Sequence, residues 1–264
     1  MTDLASRFVW YELMTTDTGR AKVFYGSVVG WGTRDASQPH MAYTLFTIGE
    51  QPIGGLMDLP EQARKMGAPP NWLGYVSVAD VDVAASKVTS LGGTVHVPPT
   101  DIPEVGRFAV VSDPQKAAFT LFKPLPMQGE PPEPAEMGTP GHIGWHELYA
   151  DDWEKAFAFY EAMFGWKKGE AIDMGEMGTY QLFSVDGGQA AGGMFNRPRS
   201  VPATFWLFYF NVDDVDTAAA RVESGGGKVL NGPMEVPGGA WIIQCQDPQG
   251  AMFALVGARG QGHA

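Results

Sequence analysis

Residues Arg7–Trp31 read RFVWYELMTTDTGRAKVFYGSVVGW, and the same plan returns at His142–Trp166 as HIGWHELYADDWEKAFAFYEAMFGW. The two copies align without a gap, and they match Trp10 with Trp145 and Glu12 with Glu147. An internal repeat is decisive for the architecture, because each copy must fold into the same unit. The chain therefore has two halves built on one plan.

Each half begins with a βαβββ pattern. Phe8–Thr15 alternates and is rich in aromatic and apolar residues, which predicts a strand. A helix capped by Asp17 or Thr16 follows and ends near Gly30, where glycine tolerates the left-handed cap. Three strands complete the first module: Gly32–Asp35, Tyr43–Ile48 and Gln51–Leu56.

A second βαβββ module follows a polar connector at Glu61–Pro70. Its strand at Trp72–Val78 and its helix at Asp80–Leu91 precede three more strands: Thr94–His96, Phe108–Ser112 and Ala118–Phe122. Trp72, Tyr75 and Asp113 reappear 134 residues later as Trp206, Tyr209 and Asp247. The sequence therefore predicts four βαβββ modules in two tandem pairs. Lys123–Pro140 carries six prolines and reads as a semi-rigid linker.

Composition narrows the class of protein. The 264 residues are 44% hydrophobic and 18% charged, which is typical of a globular chain. A net charge of −12 argues against nucleic-acid binding, and no apolar run is long enough to span a membrane. The N-terminus lacks signal-peptide order, and the one cysteine excludes an internal disulfide. We therefore expect a cytoplasmic protein, either monomeric or homodimeric.

Several motifs resemble the vicinal oxygen chelate superfamily, the glyoxalase, bleomycin-resistance and extradiol-dioxygenase group. They are Asp17 ahead of Phe24-Tyr25 and Gly30-Trp31, VSVADVD at Val76–Asp82, FNVDDVD at Phe210–Asp216, and Asp-Pro-Gln at Asp113 and Asp247. The resemblance implies an α+β fold in which four βαβββ modules form two tandem domains with curled, cup-shaped mixed sheets. A small molecule would bind in the cups.

The predicted boundaries follow from the modules. The first domain covers residues 1–124, with modules at about 7–59 and 72–124. A proline-rich linker covers 125–140. The second domain covers 141–258, with modules at about 142–197 and 203–258, and 259–264 form a flexible tail.

Metal-dependent members of this superfamily hold a divalent ion with histidine and with glutamate or glutamine from inner strand faces. The resemblance places those ligands at Trp10, Leu73 and Thr120 in the first half, and at Trp145, Leu207 and Ala254 in the second. Glycines stand where the remaining ligand would lie, in Gln51–Met57 and Gly187–Phe195. Tryptophan, leucine and alanine have no donor for such an ion. We therefore predict no metal site of the usual kind and no cofactor.

Strand parity predicts what faces each cup instead. Side chains two residues apart share a face, so the predicted lining contains one carboxylate per half among apolar groups. The candidate ligand-binding residues are Trp10, Met14, Leu73, Tyr75, Trp145, Tyr149, Leu207 and Tyr209. His146 lies one residue off the ligand position, so parity turns it away from the cup unless a bulge re-aims it.

Glu12 and Glu147 are the candidate catalytic residues. One interpretation is a partly desolvated carboxylate with a raised pKa, able to act as a general base or to anchor a donor on a ligand. The other is a structural glutamate, hydrogen-bonded to the backbone or to an aromatic donor.

The leading hypothesis for the function is a superfamily member that has lost its metal ligands and binds a small apolar or aromatic molecule. Three alternatives stay open. One is a glyoxalase-like lyase or dioxygenase-type oxidoreductase with a relocated metal site. Another is a metal-independent enzyme that uses a cup carboxylate as general base, and the last is a domain whose cups are packed shut.

Overall fold

The computed structural model describes residues 6–38, 41–126, 135–136 and 138–260. Within these ranges, sixteen strands and four of the five α-helices follow the predicted order, and the fifth helix, the short α2, is not among the predicted elements. The first half contains β1 (Phe8–Thr15), α1 (Thr18–Val29), β2 (Gly32–Asp35), β3 (Thr44–Ile48), β4 (Gln51–Asp58), α2 (Glu61–Lys65), β5 (Asn71–Ser77), α3 (Val81–Ser90), β6 (Thr94–Ile102), β7 (Gly106–Ser112) and β8 (Ala118–Pro124).

The second half repeats this series. It contains β9 (Ile143–Ala150), α4 (Trp153–Phe164), β10 (Lys167–Asp173), a 3-10 turn (Gly175–Met177), β11 (Thr179–Ser184), β12 (Gly192–Asn196), β13 (Phe205–Asp214), α5 (Val215–Ser224), β14 (Lys228–Glu235), β15 (Trp241–Gln246) and β16 (Met252–Ala258).

The strands form two open, mixed eight-stranded sheets. Their orders are β2-β3-β4-β1-β5-β8-β7-β6 and β10-β11-β12-β9-β13-β16-β15-β14. The first strand of each half pairs in parallel with the last strand of its module, as β1 does with β4 and β9 with β12. The α+β fold of four βαβββ modules in two tandem pairs is therefore confirmed. The domain boundaries stay a prediction.

The first module follows its sequence signals closely. The side chain of Asp17 accepts a hydrogen bond from the Arg20 amide at 2.9 Å and so caps α1, and Gly30 ends the helix at φ 87°. The connector departs from expectation, because it contains the short helix α2. All five residues of α2 remain partly or fully exposed, and one ion pair of 2.7 Å joins Lys65 to Glu61 across a turn.

Other boundaries differ at strand ends. β6 runs six residues beyond its predicted end at His96, and β8 takes in Lys123 and Pro124, where the linker was expected to begin. Most of that linker, residues 127–134 and 137, lies outside the described ranges. The predicted tail, 259–264, begins directly after β16, which ends at Ala258, and residues 261–264 lie outside the described ranges.

The chain forms two compact units, each of which draws on both halves. One consists of the described parts of Met1–Trp10, Leu73–Glu133 and His146–Trp206. The other consists of the described parts of Tyr11–Trp72, Pro134–Trp145 and Leu207–Ala264. The first unit therefore contains most of the second and third predicted modules. The other unit contains most of the first and fourth predicted modules.

A buried hydrogen-bond chain stabilises the core of the first of these units. Trp206 Nε1 donates to the Tyr160 hydroxyl at 3.0 Å, and that hydroxyl donates to Asp113 Oδ2 at 3.2 Å. The other carboxylate oxygen of Asp113 accepts the amides of Gln115 and Ala117. Burial raises the pKa of Asp113 to about 6, because the charged form loses its hydration.

The other unit contains the matching chain. Trp72 Nε1 donates to the Tyr25 hydroxyl at 2.9 Å, and this hydroxyl donates to Asp247 Oδ2 at 3.1 Å. Burial again raises the pKa of the aspartate. The Phe24-Tyr25 motif and the Asp-Pro-Gln motif are therefore joined in three dimensions, although 222 residues separate Tyr25 from Asp247.

The helices are short. The longest, α1 and α4, have twelve residues each. No helix in the described ranges has the length and apolarity that a membrane span requires.

Candidate functional site

The carboxylate of Glu12 lies on one face of β1, which we call the Glu12 face. Side-chain alternation puts Met14 on the same face, and the parallel register with β4 places Gly55 beside Glu12 and Met57 beside Met14. Glu12 is 7% exposed. The hydroxyl of Tyr43, one residue before β3, donates to Glu12 Oε2 at 2.8 Å.

The corresponding surface on β9, which we call the Glu147 face, repeats this arrangement. Its register with β12 places Gly193 beside Glu147 and Phe195 beside Tyr149. Glu147 is 6% exposed. The hydroxyl of Tyr180 donates to Glu147 Oε1 at 2.9 Å.

The two tyrosines are equivalent positions of the repeat. Tyr43 stands two residues before Leu45, which pairs with Gly55, and Tyr180 stands two residues before Leu182, which pairs with Gly193. Both open a Tyr-x-Leu-Phe sequence, YTLF and YQLF. Neither tyrosine is among the site residues predicted from the sequence. That shared tetrapeptide was the available signal, hidden by a two-residue shift in the spacing between the halves.

The walls around the two carboxylates differ. On the Glu147 face, Tyr149 stacks on Phe205 with ring centroids 4.7 Å apart and contacts Phe195 edge-on at 4.6 Å. Tyr180 lies 5.7 Å from the same Phe195 ring. Tyr149 and Phe195 are both buried, so this face is filled by its own aromatic side chains.

On the Glu12 face, the equivalent positions hold Met14, Met57 and Asn71. All three are half-buried. The side-chain oxygen of Asn71, Oδ1, is itself buried and has no hydrogen-bond partner within the described residues. This face therefore presents flexible thioethers and an unsatisfied acceptor where the other presents packed rings.

Gly193 lies beside Glu147, and a larger residue would not fit at this position. A Cβ at this position would overlap the Tyr180 ring. The glycine therefore lets the tyrosine lie flat on the strand and reach the carboxylate.

The remaining predicted ligand-binding residues lie in β1, β5, β9 and β13. Trp10 and Trp145 are half-buried in β1 and β9, and Leu73 and Leu207 are buried in β5 and β13. Tyr75 pairs with Thr120 and contacts the Phe122 ring edge-on at 5.7 Å. The Tyr209 hydroxyl accepts a hydrogen bond from Gln244 Nε2 at 3.1 Å.

His146 is engaged in packing contacts. Its Nδ1 lies 2.7 Å from the Ala191 carbonyl oxygen, and its ring stacks on Phe8 at 4.3 Å. Loss of hydration lowers its pKa to about 4, so the ring is neutral near pH 7.

Few side chains at the implied metal positions have a lone pair to offer a metal ion. Thr120 is the one hydroxyl among them; it is fully buried, and no hydrogen-bond partner of its Oγ1 is found in the described ranges. Among the described residues, no three His, Cys, Asp or Glu side chains are grouped so as to hold a metal ion.

The fold and the repeated motifs define a class of protein. The family model of the glyoxalase/bleomycin resistance protein/dioxygenase superfamily matches residues 7–121 and 140–255, and the chain belongs to that family.

Relatives with assigned names cover nearly the full chain. The chain is 32% identical over 249 residues to the "Putative glyoxylase CFP32" of Mycobacterium tuberculosis, covering 94% of this chain and 93% of that one. It is 30% identical over 263 residues to the "Anthracycline biosynthesis protein DauV" of a Streptomyces species, covering 95% and 92%.

Solved structures share the fold at lower identity. The Mn(II)-bound glyoxalase from Novosphingobium aromaticivorans superposes with a TM-score of 0.62 at 17% identity, covering 99% of this chain and 85% of that one. An extradiol ring-cleaving dioxygenase from B. fuscum gives 0.65 at 14% identity, covering 98% and 73%.

Proposed function

We propose that this protein binds a small, largely apolar or aromatic molecule on one or both of the strand faces that carry Glu12 and Glu147, without a divalent ion of the superfamily type. The observation that carries the proposal is the tyrosine–glutamate hydrogen bond repeated on both faces. In each half, a phenol engages the carboxylate. The surrounding side chains are thioethers on one face and aromatic rings on the other, and both supply contact area for an apolar ligand.

The residues present do not fit the metal that the superfamily implies. Trp10, Leu73, Trp145, Leu207 and Ala254 offer no lone pair to a divalent ion, and a neutral threonine hydroxyl alone binds one poorly. Next to Glu147, the overlap between a Gly193 Cβ and the Tyr180 ring leaves no room for a further ligating side chain. We therefore derive no chemical step through a metal.

The names of the relatives leave the ligand open. One is called a putative glyoxylase and another is named for anthracycline biosynthesis. The proposal thus rests on the side chains of this chain and not on a transferred activity.

Calorimetric titration of the purified protein with Mn²⁺, Zn²⁺, Ni²⁺ and Fe²⁺ tests the proposal. We expect no tight binding with a stoichiometry near one, and no change after Glu147→Gln. Tight, stoichiometric binding that Glu147→Gln weakens would overturn it and would favour an enzyme with a relocated metal site.

The tyrosine–glutamate pair also favours a second candidate, a metal-independent enzyme in which the carboxylate moves a proton. Glu12 and Glu147 are both buried, and each accepts its hydrogen bond from an ionisable phenol. Such an enzyme would show a pH–rate profile governed by one carboxyl group and unchanged by a chelator. Loss of the rate on Glu→Gln at the active face, with ligand affinity retained, would distinguish it from a binding protein.

A further inference from the structure

We infer that the Glu12 face is a ligand site and that the Glu147 face is closed by its own side chains. The inference rests on the proposed function, because it assigns that function to one of two repeated surfaces. It further assigns the ligand class: an apolar, neutral or cationic molecule with a hydroxyl or amino donor.

The first step of the inference rests on three aromatic residues of the Glu147 face. Tyr149, Phe195 and Phe205 form a ring cluster on the Glu147 face, with centroid distances of 4.6 and 4.7 Å from Tyr149 to its neighbours. Buried aromatic side chains in such contacts stabilise a packed arrangement. A ligand entering here would have to displace the protein's own rings.

The equivalent residues of the first half are not aromatic. Met14 and Met57 are register partners across β1 and β4, and both stay half-buried. Methionine side chains have three rotatable bonds and adapt to the shape of what they contact. The first half thus keeps the carboxylate and its tyrosine but replaces the ring cluster with a deformable apolar wall.

Asn71 supplies the second, independent step. Its Oδ1 is buried with no partner in the described part of the chain, whereas Phe205 at the equivalent position has no polar atom to satisfy. A buried acceptor without a donor is unfavourable, and buried polar groups in native proteins are paired in all but a few instances. A hydrogen-bond donor on a bound molecule would satisfy this acceptor.

Charge narrows the ligand class. The chain has a net charge of −12, and the Glu12 carboxylate lies on the same face as the methionines. Both features repel an anionic ligand. A neutral phenol or alcohol, or an amine, supplies the donor that Asn71 lacks without that repulsion.

Two fluorescent probes test the inference: 2-naphthol, which has a donor, and 2-methoxynaphthalene, which has the same ring system without one. We expect native mass spectrometry to show one molecule of 2-naphthol per chain. Wild-type protein should bind 2-naphthol about tenfold more tightly than the methoxy probe, the effect of one hydrogen bond to a buried acceptor.

The Asn71→Leu variant should bind the two probes with about the same affinity. Its matched control, Phe205→Leu, alters the equivalent residue of the other face and should preserve the tenfold preference. Because Asn71→Leu removes an unsatisfied acceptor, we expect it to fold at least as well as wild type, so a lost preference would report the ligand contact and not misfolding.

A second variant fills the site. Met14→Tyr combined with Met57→Phe and Asn71→Phe copies the wall of the Glu147 face and should abolish binding of both probes. Circular dichroism and cooperative unfolding serve as its folding control. If it fails to fold, the Asn71→Leu and Phe205→Leu pair still decides the question.

Contrary outcomes separate the inference from the proposed function. Two molecules per chain, or a preference lost in Phe205→Leu and retained in Asn71→Leu, would overturn the assignment to the Glu12 face while the binding function stands. No binding of either probe to wild type would overturn the assigned ligand class. Tight stoichiometric binding of a divalent ion would overturn the proposed function itself.

Discussion

The Glu12 face and the Glu147 face are two copies of one structure that have kept the same hydrogen bond and changed its surroundings. In both, a tyrosine that lies just before or within the next strand but one of the sheet donates to a buried glutamate. Around it, one copy has two methionines and an asparagine, and the other has three aromatic rings. The conserved element within this single chain is therefore the polar pair, and the variable element is the wall.

Replacing a side chain beside the tyrosine–glutamate pair with alanine should produce the largest difference in stability between the two faces. Phe195→Ala removes a buried ring that contacts both Tyr149 and Tyr180, and we expect it to lower the free energy of unfolding by about 3–5 kcal/mol. Met57→Ala, its register equivalent, removes a half-buried side chain and should cost about 1–2 kcal/mol. Urea denaturation measures both. Equal losses would mean that the two walls are packed alike.

The sequence predicted the repeat, the strands and the caps because these depend on local signals. Asp17 and Gly30 carry the ends of α1 by themselves, and the alternation of β1 fixes which side chains share a face with Glu12. The pairing of Tyr25 with Asp247 was not predictable, since no local pattern indicates which modules pack together across 222 residues.

The tyrosines were missed for a different physical reason. Tyr43 immediately precedes β3 and Tyr180 is the second residue of β11, so strand alternation alone does not direct their hydroxyls to a glutamate on another strand. The 3-10 turn in the second half accompanies a two-residue difference in length between the copies. A comparison at fixed spacing therefore places Tyr180 opposite Leu45.

The two buried aspartates extend the comparison to pH. The pKa of Asp113 is about 6 in the folded protein and near the ordinary value of 3.8 when unfolded. The folded state therefore binds the proton more readily, and this group's contribution to stability falls as pH rises from about 4 to 6 and is constant above that range. Relative to Asp113→Asn, wild type should lose about 2–3 kcal/mol of stability between pH 4 and pH 7.

Denaturation of both proteins across this range, with carbon NMR of the Asp113 carboxyl, measures the effect. Asp247→Asn is the matched variant, and its dependence should have the same sign because burial raises that pKa as well. If the unfolding free energy of wild type rose with pH relative to that of Asp113→Asn, the raised pKa of Asp113 would be contradicted.

Removing the tyrosine hydroxyls tests the part that the faces share. Tyr43→Phe and Tyr180→Phe each delete a donor to a buried carboxylate, and each should cost about 1–3 kcal/mol of unfolding free energy. Similar losses, measured by denaturation at pH 7, would show that the pair is equally important in both copies. A neutral Tyr43→Phe beside a costly Tyr180→Phe would show that the pair is structural on one face only.

The smallest expected effect concerns two glutamines that follow the buried aspartates. Gln115 Oε1 accepts the amides of Asp151 and Asp152 at 2.7 and 2.8 Å, and its Nε2 donates to the Asp152 carbonyl at 2.7 Å. It thereby fixes the turn that leads into α4. Its equivalent in the repeat, Gln249, has a buried Oε1 without a partner in the described ranges.

We therefore expect Gln115→Ala to lower the unfolding free energy by about 1–2 kcal/mol and Gln249→Ala to change it by less than about 0.5 kcal/mol. Hydrogen exchange at the amides of Asp151 and Asp152 should rise only in Gln115→Ala, because only that side chain protects them. If Gln249→Ala proved as costly as Gln115→Ala, its oxygen would have to be paired in solution, and the repeat would be more symmetric at this turn than at the two glutamate faces.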